Sequence, residues 1–586
     1  MLMQFWAIKR DGPARFGEFT IDDVEIKTPN ILFLNTKRFN SPKFANILIT
    51  NVKNKTKKPV LNFPEKLILK RIEDENNKFC IIDANENMID SYLKKCSVKI
   101  IIIANVLQLF NQPKNFVDFI IKLRKKIGYE KIIYLPSIGE PKNFSLLTYL
   151  SIDFFDSTQA IIAARNNILL FENGSFNKNE LIENPCICPS CIKTNKKPYE
   201  MDFKDILNHN EYIINTEIKH IRNAINQENL RNLVENRIKA DPNLTAILRY
   251  LDRNYYEFLE KRTSITSKGK IIATSFESLY RPEIKRFQER LIKRYKKPES
   301  TKILLLLPCS AKKPYSFSKS HKFFREKLLS TKNPYIVHEV IITSPIGIVP
   351  RELELVYPAS SYDIPVTGFW DEIEKNLITQ LLSKYLSLNK YEKVIIHLQE
   401  EIIDFIKPLF KDPIITCIDN PTSKKSLNNL SDILNKTINK YSIIKTQKRL
   451  KENIKALALY QFGKKITEKL IKDCEIKGKY PYQKIIYGKT QLGMITKERG
   501  LISLTINGAE KISDSEKYWV EIYSDFILKG SVFAPGVKDA DNEIRIGDEV
   551  VVTRNKKLCA VGVAQMNGEE MKEVKKGEAI KIRHII

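Results

Sequence analysis

Residues 302–321 read KILLLLPCSAKKPYSFSKSH, an apolar run that changes abruptly into a polar loop. A short apolar run bounded by turn residues is typical of a strand that is buried on both faces of a parallel sheet. The pattern returns in HEVIITSPIG (338–347) and EKVIIHLQ (392–399), with the helical stretch FWDEIEKNLITQLLSKYLSL (369–388) between them. This alternation predicts an α/β domain, which we place at residues 295–422.

The loop that follows the apolar run concentrates side chains that can do chemistry. They supply a thiol, hydroxyls, an amine and an imidazole: Cys309, Ser310, Lys313, Tyr315, Ser318, Ser320 and His321. Open α/β sheets bind ligands outside the carboxyl ends of their strands, where this loop lies. Cys309 or Lys313 could attack an electrophilic carbon, because neighbouring cations lower the pKa of a thiol or of a crowded lysine. The alternative is a basic, serine-rich loop that grips phosphate.

The segments on either side predict three further domains. Residues 1–290 alternate apolar runs such as KIIIIANVL with amphipathic stretches, which indicates a parallel sheet or barrel. After NPTSKKSLN (420–428), a polar stretch interpreted as a linker, helical and short mixed segments predict a small α+β domain at 430–505. Alternating strands and turns predict a mostly β domain at 506–586.

The composition favours a polyanionic partner. Lys and Arg total 97 against 69 Asp and Glu, a formal net charge of +28, although a basic surface that is merely solvated would look the same. Nine cysteines and a charged N-terminus do not suit a secreted disulfide protein. The longest apolar runs are shorter than the roughly 20 residues that span a bilayer. We therefore expect a soluble, cytoplasmic protein that does not enter membranes.

A cluster of cysteines predicts a metal site. Cys186, Cys188 and Cys191 lie within six residues, and His209 follows on a predicted helix, with His220 on the same segment as an alternative fourth ligand. Three thiolates and one imidazole complete a tetrahedral zinc site and leave no position for substrate, so the zinc should be structural. The alternative is three ordinary thiols.

Two features of the first domain resemble tRNA-guanine transglycosylases. They are the cysteine motif with its following His-Asn pair, and IIYLPSIGEPKNFSLLTYLSIDFFDSTQA (132–160). The resemblance implies a TIM (β/α)8-type barrel with a zinc insertion, in which Asp156 matches the nucleophilic aspartate. The family's Asp-Ser-Gly-Gly-Phe-like motif is not found in residues 1–110. Asp83 is the best candidate there for the motif's aspartate, but no Ser-Gly sequence follows it. The barrel is therefore expected to be degraded, and Asp156 either positions a nucleotide or caps a strand-to-helix turn.

The central loop resembles the archaeosine synthase family. Every fixed position of P-C-S-x-x-K-P-Y-x-x-S-x-S-H is present at 308–321, and TSPIGIVPRELE (343–354) and YPASSYDIPVTGFW (357–370) also fit. The resemblance implies conversion of the nitrile of 7-cyano-7-deazaguanine, at position 15 in the D-loop of tRNA, into the formamidine of archaeosine.

The resemblance also suggests roles for the loop's side chains. Lys313 ranks first as the nucleophile, giving an amidine adduct directly. Cys309 is the rival, through a thioimidate or by releasing ammonia from an amide donor. His321 could shuttle protons near neutral pH, and Asp363 could orient or neutralise the amine.

The nitrogen source and the partners stay open at this point. The donor is expected to be glutamine, asparagine or ammonia; alternatively the enzyme adds free lysine for a radical-SAM partner enzyme to cleave. Two other functions are an active tRNA-guanine transglycosylase, which the missing motif opposes, and a non-catalytic tRNA-binding subunit. A homodimer is possible by analogy with transglycosylases.

The C-terminal segment resembles a PUA domain, a small β-barrel that binds structured RNA. Glycine is expected where the backbone makes a tight turn or where RNA approaches it closely, because a side chain would not fit there. This would explain why Gly530, Gly536 and Gly547 are glycines. The cations expected to meet phosphates are Lys529, Arg545 and Arg583. Phe533 could stack on a base, but a place in the core is the favoured interpretation.

Overall fold

The computed structural model describes residues 3–21, 23–50, 58, 60–62, 79–84, 99–365 and 369–586. The chain forms two compact units. The first comprises Met1–Thr263, Phe533–Pro535 and Glu569–Ala579, and the second comprises Ser264–Val532, Gly536–Gly568 and Ile580–Ile586. The boundaries of the four predicted domains stay predictions.

The first unit contains an antiparallel sheet, a parallel sheet and a hairpin. The strands are β1 Met3–Asp11, β2 Ala14–Ile21, β3 Val24–Thr28, β4 Asn30–Leu34, β5 Leu48–Thr50, β6 Val60–Asn62, β7 Phe79–Asp83, β8 Ile100–Ala104, β9 Ile132–Tyr134, β10 Phe154–Asp156, β11 Ile168–Phe171 and β12 Gly174–Asn177. The helices are α1 Val106–Phe110, α2 Pro113–Ile127, α3 Pro141–Tyr149, α4 Thr158–Arg165, α5 Pro189–Thr194, α6 Phe203–Asn226, α7 Leu230–Arg237, α8 Pro242–Asn254 and α9 Tyr256–Arg262.

The parallel sheet has the strand order of an opened barrel. Its seven strands run β6-β5-β4-β10-β9-β8-β7. In chain order β4 is the first strand of this sheet and β10 the last, and these two pair with each other as in a closed barrel. Within the described residues no hydrogen bonds join β6 to β7. Ile101 and Ile103 pack into one apolar cluster and Ile100 and Ile102 into another, which explains the unbroken apolar run of β8. The described strands thus form a half-barrel rather than a closed eight-stranded barrel.

The second unit begins with the predicted α/β sheet. The strands of this region are β13 Ile271–Ile272, β14 Ile303–Pro308, β15 Val337–Thr343, β16 Gly347–Pro350, β17 Tyr362–Asp363, β18 Lys393–Ile396 and β19 Ile414–Ile415. Strands β13 and β17 pair with each other in a separate two-stranded sheet. Its helices are α10 Pro282–Lys293, α11 Lys319–Leu329, α12 Glu372–Leu388, α13 Glu400–Ile406 and α14 Lys424–Ile438. Five strands pair in the order β16-β15-β14-β18-β19, all parallel except the edge strand β16.

The stretch predicted as a linker is partly helical. Ser423 caps α14 by accepting from the backbone N–H of Ser426, and Leu427, Leu430 and Leu434 pack in the apolar cluster of β14. The linker prediction is therefore wrong at this end, because polar residues at a helix N-terminus resemble a loop in sequence.

The rest of the chain holds two smaller sheets, and its residues belong to the second unit except Phe533–Pro535 and Glu569–Ala579, which belong to the first. The elements are α15 Thr446–Phe462, α16 Lys464–Ile471, β20 Glu475–Lys477, β21 Gln483–Tyr487, β22 Thr490–Ile495, β23 Ile502–Leu504, α17 Ile506–Ile512, β24 Trp519–Ile522, β25 Val532–Phe533, β26 Val537–Ala540, β27 Glu549–Arg554, β28 Lys557–Ala564, α18 Gly568–Glu573 and β29 Glu578–Ile585. Strands β20–β23 form an antiparallel sheet, and the C-terminal sheet runs β25-β29-β28-β27-β24-β26. Among the described residues, no helix is long and apolar enough to cross a membrane.

Candidate functional site

A cleft of about 390 Å³ opens at the carboxyl ends of β14, β15, β18 and β19. Within the part of the chain that the structure describes, the cleft is lined by Pro308, Cys309, Ser320, Phe324, Ser344, Ile364, Pro365, Phe369, Trp370, Glu374, Gln399, Ile402, Asn420, Pro421 and Thr422. The lining is mostly apolar with a few polar groups, as is usual for small-ligand sites. Cys309 lines this cleft directly after β14, where the sequence predicted a site.

The thiol of Cys309 belongs to a chain of buried hydroxyls. The Thr343 side chain lowers the pKa of the thiol and forms a hydrogen bond with the hydroxyl of Tyr362, which lies 2.7 Å from that of Tyr315. Burial raises the pKa of Cys309, and the nearby cation Lys313 opposes this. The thiol is therefore held in place and protonated at rest, so it needs a base to become a nucleophile.

Lys313 lies next to Cys309 and has the character of such a base. Its ammonium nitrogen lies 3.9 Å from the centroid of the Tyr362 ring, and burial lowers the pKa of Lys313 against the opposing charges of Cys309 and Asp363. The described lining of the cleft includes Cys309 but not Lys313. Asp363 is exposed and pairs with Lys270 at 2.7 Å, and this hydrogen bond lowers the pKa of Asp363.

His321 is buried, and both of its ring nitrogens are engaged. Nε2 donates to the carbonyl of Pro308 at 3.0 Å, and Nδ1 accepts from the Arg351 guanidinium at 2.8 Å. Burial, with the charge of Arg351, lowers the pKa of His321 to about 3. A neutral ring with both nitrogens occupied has no free position for a moving proton. The predicted proton-shuttle role stays a prediction, and this geometry counts against it.

A buried ionic network holds the loop on the sheet, and sequence reasoning missed it. Arg351 contacts Glu339 at 2.7 Å and Glu354 at 3.0 Å. Glu354 also accepts from the backbone N–H of Ser316 at 2.9 Å and from the hydroxyl of Tyr480 at 2.6 Å. The block 343–354 was singled out by resemblance, but nothing local in the sequence pairs it with Tyr480.

The serines of the loop have different positions. Ser318 caps α11 by accepting from the backbone N–H of His321 at 3.2 Å, and its hydroxyl lies 3.3 Å from that of Ser320, which lines the cleft. Ser310 donates to the carbonyl of Lys312 at 2.9 Å. Ser310 and Ser318 therefore shape the loop, and Ser320 alone of the three faces the cleft.

The predicted metal ligands converge in the first unit. Ligand atoms of Cys186, Cys188, Cys191 and His209 all lie within 4.8 Å of one another. His209 Nδ1 is 3.4 Å from the sulfur of Cys191 and 3.9 Å from that of Cys188, close to the edge of about 3.6 Å expected for a tetrahedral zinc site.

The imidazole of His209 is oriented for a metal. Its Nε2 donates to the carbonyl of Leu170 at 3.1 Å, which leaves the lone pair of Nδ1 facing the sulfurs. The side chain of His220 is 56% exposed and lies 3.5 Å from Glu217. The four residues can therefore hold a metal ion, and His209 rather than His220 completes the set.

Asp156 lies at the carboxyl end of β10 and accepts three hydrogen bonds from its neighbours. Its carboxylate accepts from the hydroxyl of Tyr134 at 2.6 Å and from the backbone N–H groups of Ser137 and Thr158, each at 2.8 Å. The role of Asp156, in catalysis, in positioning a nucleotide or in capping a turn, stays a prediction. Asp83 accepts from the Asn105 amide at 2.8 Å.

The predicted RNA-binding residues of the C-terminal domain are not equally accessible. Phe533 is 52% exposed, so the favoured prediction of a core position is wrong. Gly547 has a φ of +91°, and a Cβ there would lie 2.8 Å from the Thr266 hydroxyl, so its need for glycine is intramolecular. Arg583 pairs with the buried Glu549.

The remaining predicted contacts of this domain lie at the surface or in its turns. Lys529 and Gly530 are exposed, and a side chain at Gly530 would meet nothing. The ring of Phe526 explains Gly536, since a Cβ there would lie 2.6 Å from it. Arg545 donates to the carbonyl of Asn542 at 3.0 Å. RNA binding by Lys529, Arg545 and Phe533 stays a prediction.

Four stretches of the chain match known domain families. They are Queuine tRNA-ribosyltransferase at 69–243, a domain of unknown function at 284–434, the patch-forming domain C2 of tRNA-guanine transglycosylase at 452–518 and a PUA domain at 523–586. With the half-barrel, they define a tRNA-modifying transferase related to tRNA-guanine transglycosylases.

The similarity to individual proteins shows which family within this class the chain belongs to. The chain is 39% identical to archaeosine synthase subunit alpha of Methanosarcina acetivorans, over 81% of this chain and 78% of that protein. It is 36% identical to archaeosine synthase of Haloferax volcanii, over 80% and 79%. It is 32% identical to archaeosine synthase subunit alpha of Thermococcus kodakarensis, over 98% and 99%. The chain belongs to the archaeosine synthase family, and the resemblance seen in the sequence is confirmed.

Proposed function

We propose that this chain converts the nitrile of 7-cyano-7-deazaguanine, at position 15 in the D-loop of tRNA, into an amidine, with Cys309 as the nucleophile. The observation that carries the proposal is the position of the Cys309 thiol, which lines a largely apolar cleft with a lysine of lowered pKa beside it. A nitrile carbon is electrophilic, and a thiolate is a stronger nucleophile than the protonated thiol. The sequence ranked Lys313 first, but Lys313 is absent from the described lining of the cleft.

The two side chains divide the first step between them. In its neutral form, which the lowered pKa makes more accessible, the Lys313 amine takes the proton of the Cys309 thiol, and the thiolate adds to the nitrile carbon. The nitrile nitrogen then takes the proton back from Lys313, which gives a thioimidate without net loss of atoms. The Thr343 side chain, which lowers the pKa of Cys309, favours the thiolate needed for this attack.

The second step transfers nitrogen. An amine adds to the thioimidate carbon, the carbon–sulfur bond breaks, and Cys309 recovers its proton. Ammonia, free or released from glutamine or asparagine, gives the formamidine directly. Free lysine gives a substituted amidine that a radical-SAM partner would have to cleave. Two of the relatives above are named as a subunit alpha, which favours a partner subunit for this chain as well.

The other parts of the chain support this reaction. Cys186, Cys188, Cys191 and His209 would hold a structural zinc ion, which stabilises its segment and takes no part in the chemistry. The PUA domain would bind tRNA, and the reaction would take place in the cytoplasm. Domain limits at 290, 422 and 505 and a homodimer complete the proposal. An active transglycosylase is less well supported, because Asp156 is engaged by three donors.

The experiment is a donor screen. The protein is incubated with tRNA that carries 7-cyano-7-deazaguanine, with glutamine, asparagine, ammonia or lysine in turn. The tRNA is then digested, and its nucleosides are identified by mass spectrometry. Loss of the nitrile nucleoside in the wild type, and its persistence with Cys309→Ala, supports the proposal. A nitrile that is unchanged with every donor would leave a tRNA-binding subunit as the better account.

A further inference from the structure

One charged group faces the cleft. Among the described residues that line it, Glu374 is the only one with a formal charge, and the others are apolar or neutral. Glu374 is half-buried, so its carboxylate can meet a ligand in the cleft that offers N–H donors.

Two fixed contacts orient this carboxylate. The hydroxyl of Ser344 donates to Glu374 Oε1, and the backbone N–H of Asp371 donates to Oε2 at 3.1 Å, as part of the capping box of α12. A carboxylate has about four acceptor positions, so each oxygen keeps one for a ligand.

The carboxylate and the thiol line the same cleft, and consecutive residues of the chain interact with them. Thr343 contacts the Cys309 thiol, and the next residue, Ser344, holds Glu374. A ligand bound between them therefore has one end at the nucleophile and another at the acid. Phe369 and Trp370, also in the lining, supply flat apolar surface for a ring.

Resting on the function proposed above, we propose that Glu374 is the specificity-determining residue that reads the guanine-type edge of the substrate base. That edge presents N1–H and the 2-amino group as two adjacent donors, which match the two oxygens of one carboxylate. A base bound in this way turns its opposite side, which carries the 7-cyano group, away from Glu374. Glu374 thereby selects 7-deazaguanine over bases that lack the 2-amino group.

The test compares two substrates. One tRNA carries 7-cyano-7-deazaguanine, and the other carries 7-cyano-7-deazahypoxanthine, which lacks only the 2-amino group. Initial rates and KM for each tRNA, and KM for the nitrogen donor, are measured for the wild type, Glu374→Gln and the control Glu372→Gln. Glu372 lies on the same helix turn but is exposed and pairs with Lys375 at 2.8 Å.

The wild type and Glu372→Gln should prefer the 2-amino substrate by about 10- to 100-fold in kcat/KM. Glu374→Gln should reduce this preference to less than about threefold, with the thermal midpoint recorded to separate a folding defect. No preference in the wild type, or an unchanged preference in Glu374→Gln, would overturn the proposal. A rise only in the KM of the donor would also overturn it, by assigning Glu374 to the amine. Conversion of neither tRNA by the wild type would instead count against the proposed function.

Discussion

The Nε2 of His321 donates a hydrogen bond to the carbonyl of Pro308, 3.0 Å away, and so ties the first turn of α11 to the residue before Cys309. Arg351 donates to the other ring nitrogen and is itself held by Glu339. The position of the thiol therefore depends on a histidine that is not among the described residues lining the cleft. His321 is a positioning residue in this account.

We predict that glutamine at position 321 preserves the activity of the enzyme, whereas alanine does not. In His321→Gln the side-chain amide can donate to Pro308 and accept from Arg351, so the pH profile and most of the activity should remain. In His321→Ala a buried carbonyl and a guanidinium N–H lose their partner, at about 1–3 kcal/mol each, and the rate should fall at least about tenfold. Equal loss of activity in two folded variants would restore the proton-shuttle role.

Stability should fall below neutral pH. His321 and His397 are buried, and burial lowers the pKa of His321 to about 3 and that of His397 to about 4. The unfolded chain takes up protons near pH 6.5 while the folded chain does not, so unfolding becomes easier as pH falls from about 6.5.

The expected loss between pH 6.5 and 5 is about 1–2 kcal/mol for each histidine, seen as a lower thermal midpoint. His397→Asn removes one of these titrations and should flatten the dependence, although it also perturbs the bonds of His397 to Thr416 and Pro421. A midpoint independent of pH over this range, in wild type and variant alike, would contradict the prediction.

Metal analysis should find one zinc per chain. Cys188→Ser and His209→Asn should each lose most of the metal, because three ligands bind zinc more weakly than four. His220→Asn is the matched control and should retain it, since His220 is largely exposed. Full zinc content in His209→Asn, or loss of zinc in His220→Asn alone, would show that His220 rather than His209 is the fourth ligand.

Asp156→Asn should affect folding more than chemistry. An amide cannot accept from all three donors that Asp156 now satisfies, which should cost about 1–3 kcal/mol in the free energy of unfolding. Conversion of the nitrile at a permissive temperature should stay near the wild-type rate. Exchange of labelled guanine into tRNA by the wild type, abolished in Asp156→Asn, would show instead that the barrel is an active transglycosylase.

Local patterns in the sequence predicted much of this molecule. The run 303–308 and its partners have the unbroken apolar character of strands covered on both faces, and β14, β15 and β18 form the predicted sheet. The convergence of Cys186, Cys188, Cys191 and His209 was also predicted, because three cysteines so close together have a spacing that chemistry constrains.

Long-range contacts could not be predicted in the same way. Tyr480 donates to Glu354 across 126 residues of sequence, and neither residue carries a local signal of the other. The exposure of Phe533 shows the reverse problem, because an aromatic residue in a short strand looks the same in sequence whether it faces the core or the solvent.

The most direct test of the account is the site of the covalent adduct. Wild-type protein is mixed with tRNA that carries 7-cyano-7-deazaguanine in the absence of a nitrogen donor, quenched in acid, treated with nuclease and mapped by peptide mass. The account predicts a nucleoside adduct on the peptide that contains Cys309, lost in Cys309→Ala and formed more slowly in Lys313→Ala. An adduct on Lys313 that persists in Cys309→Ala would contradict it.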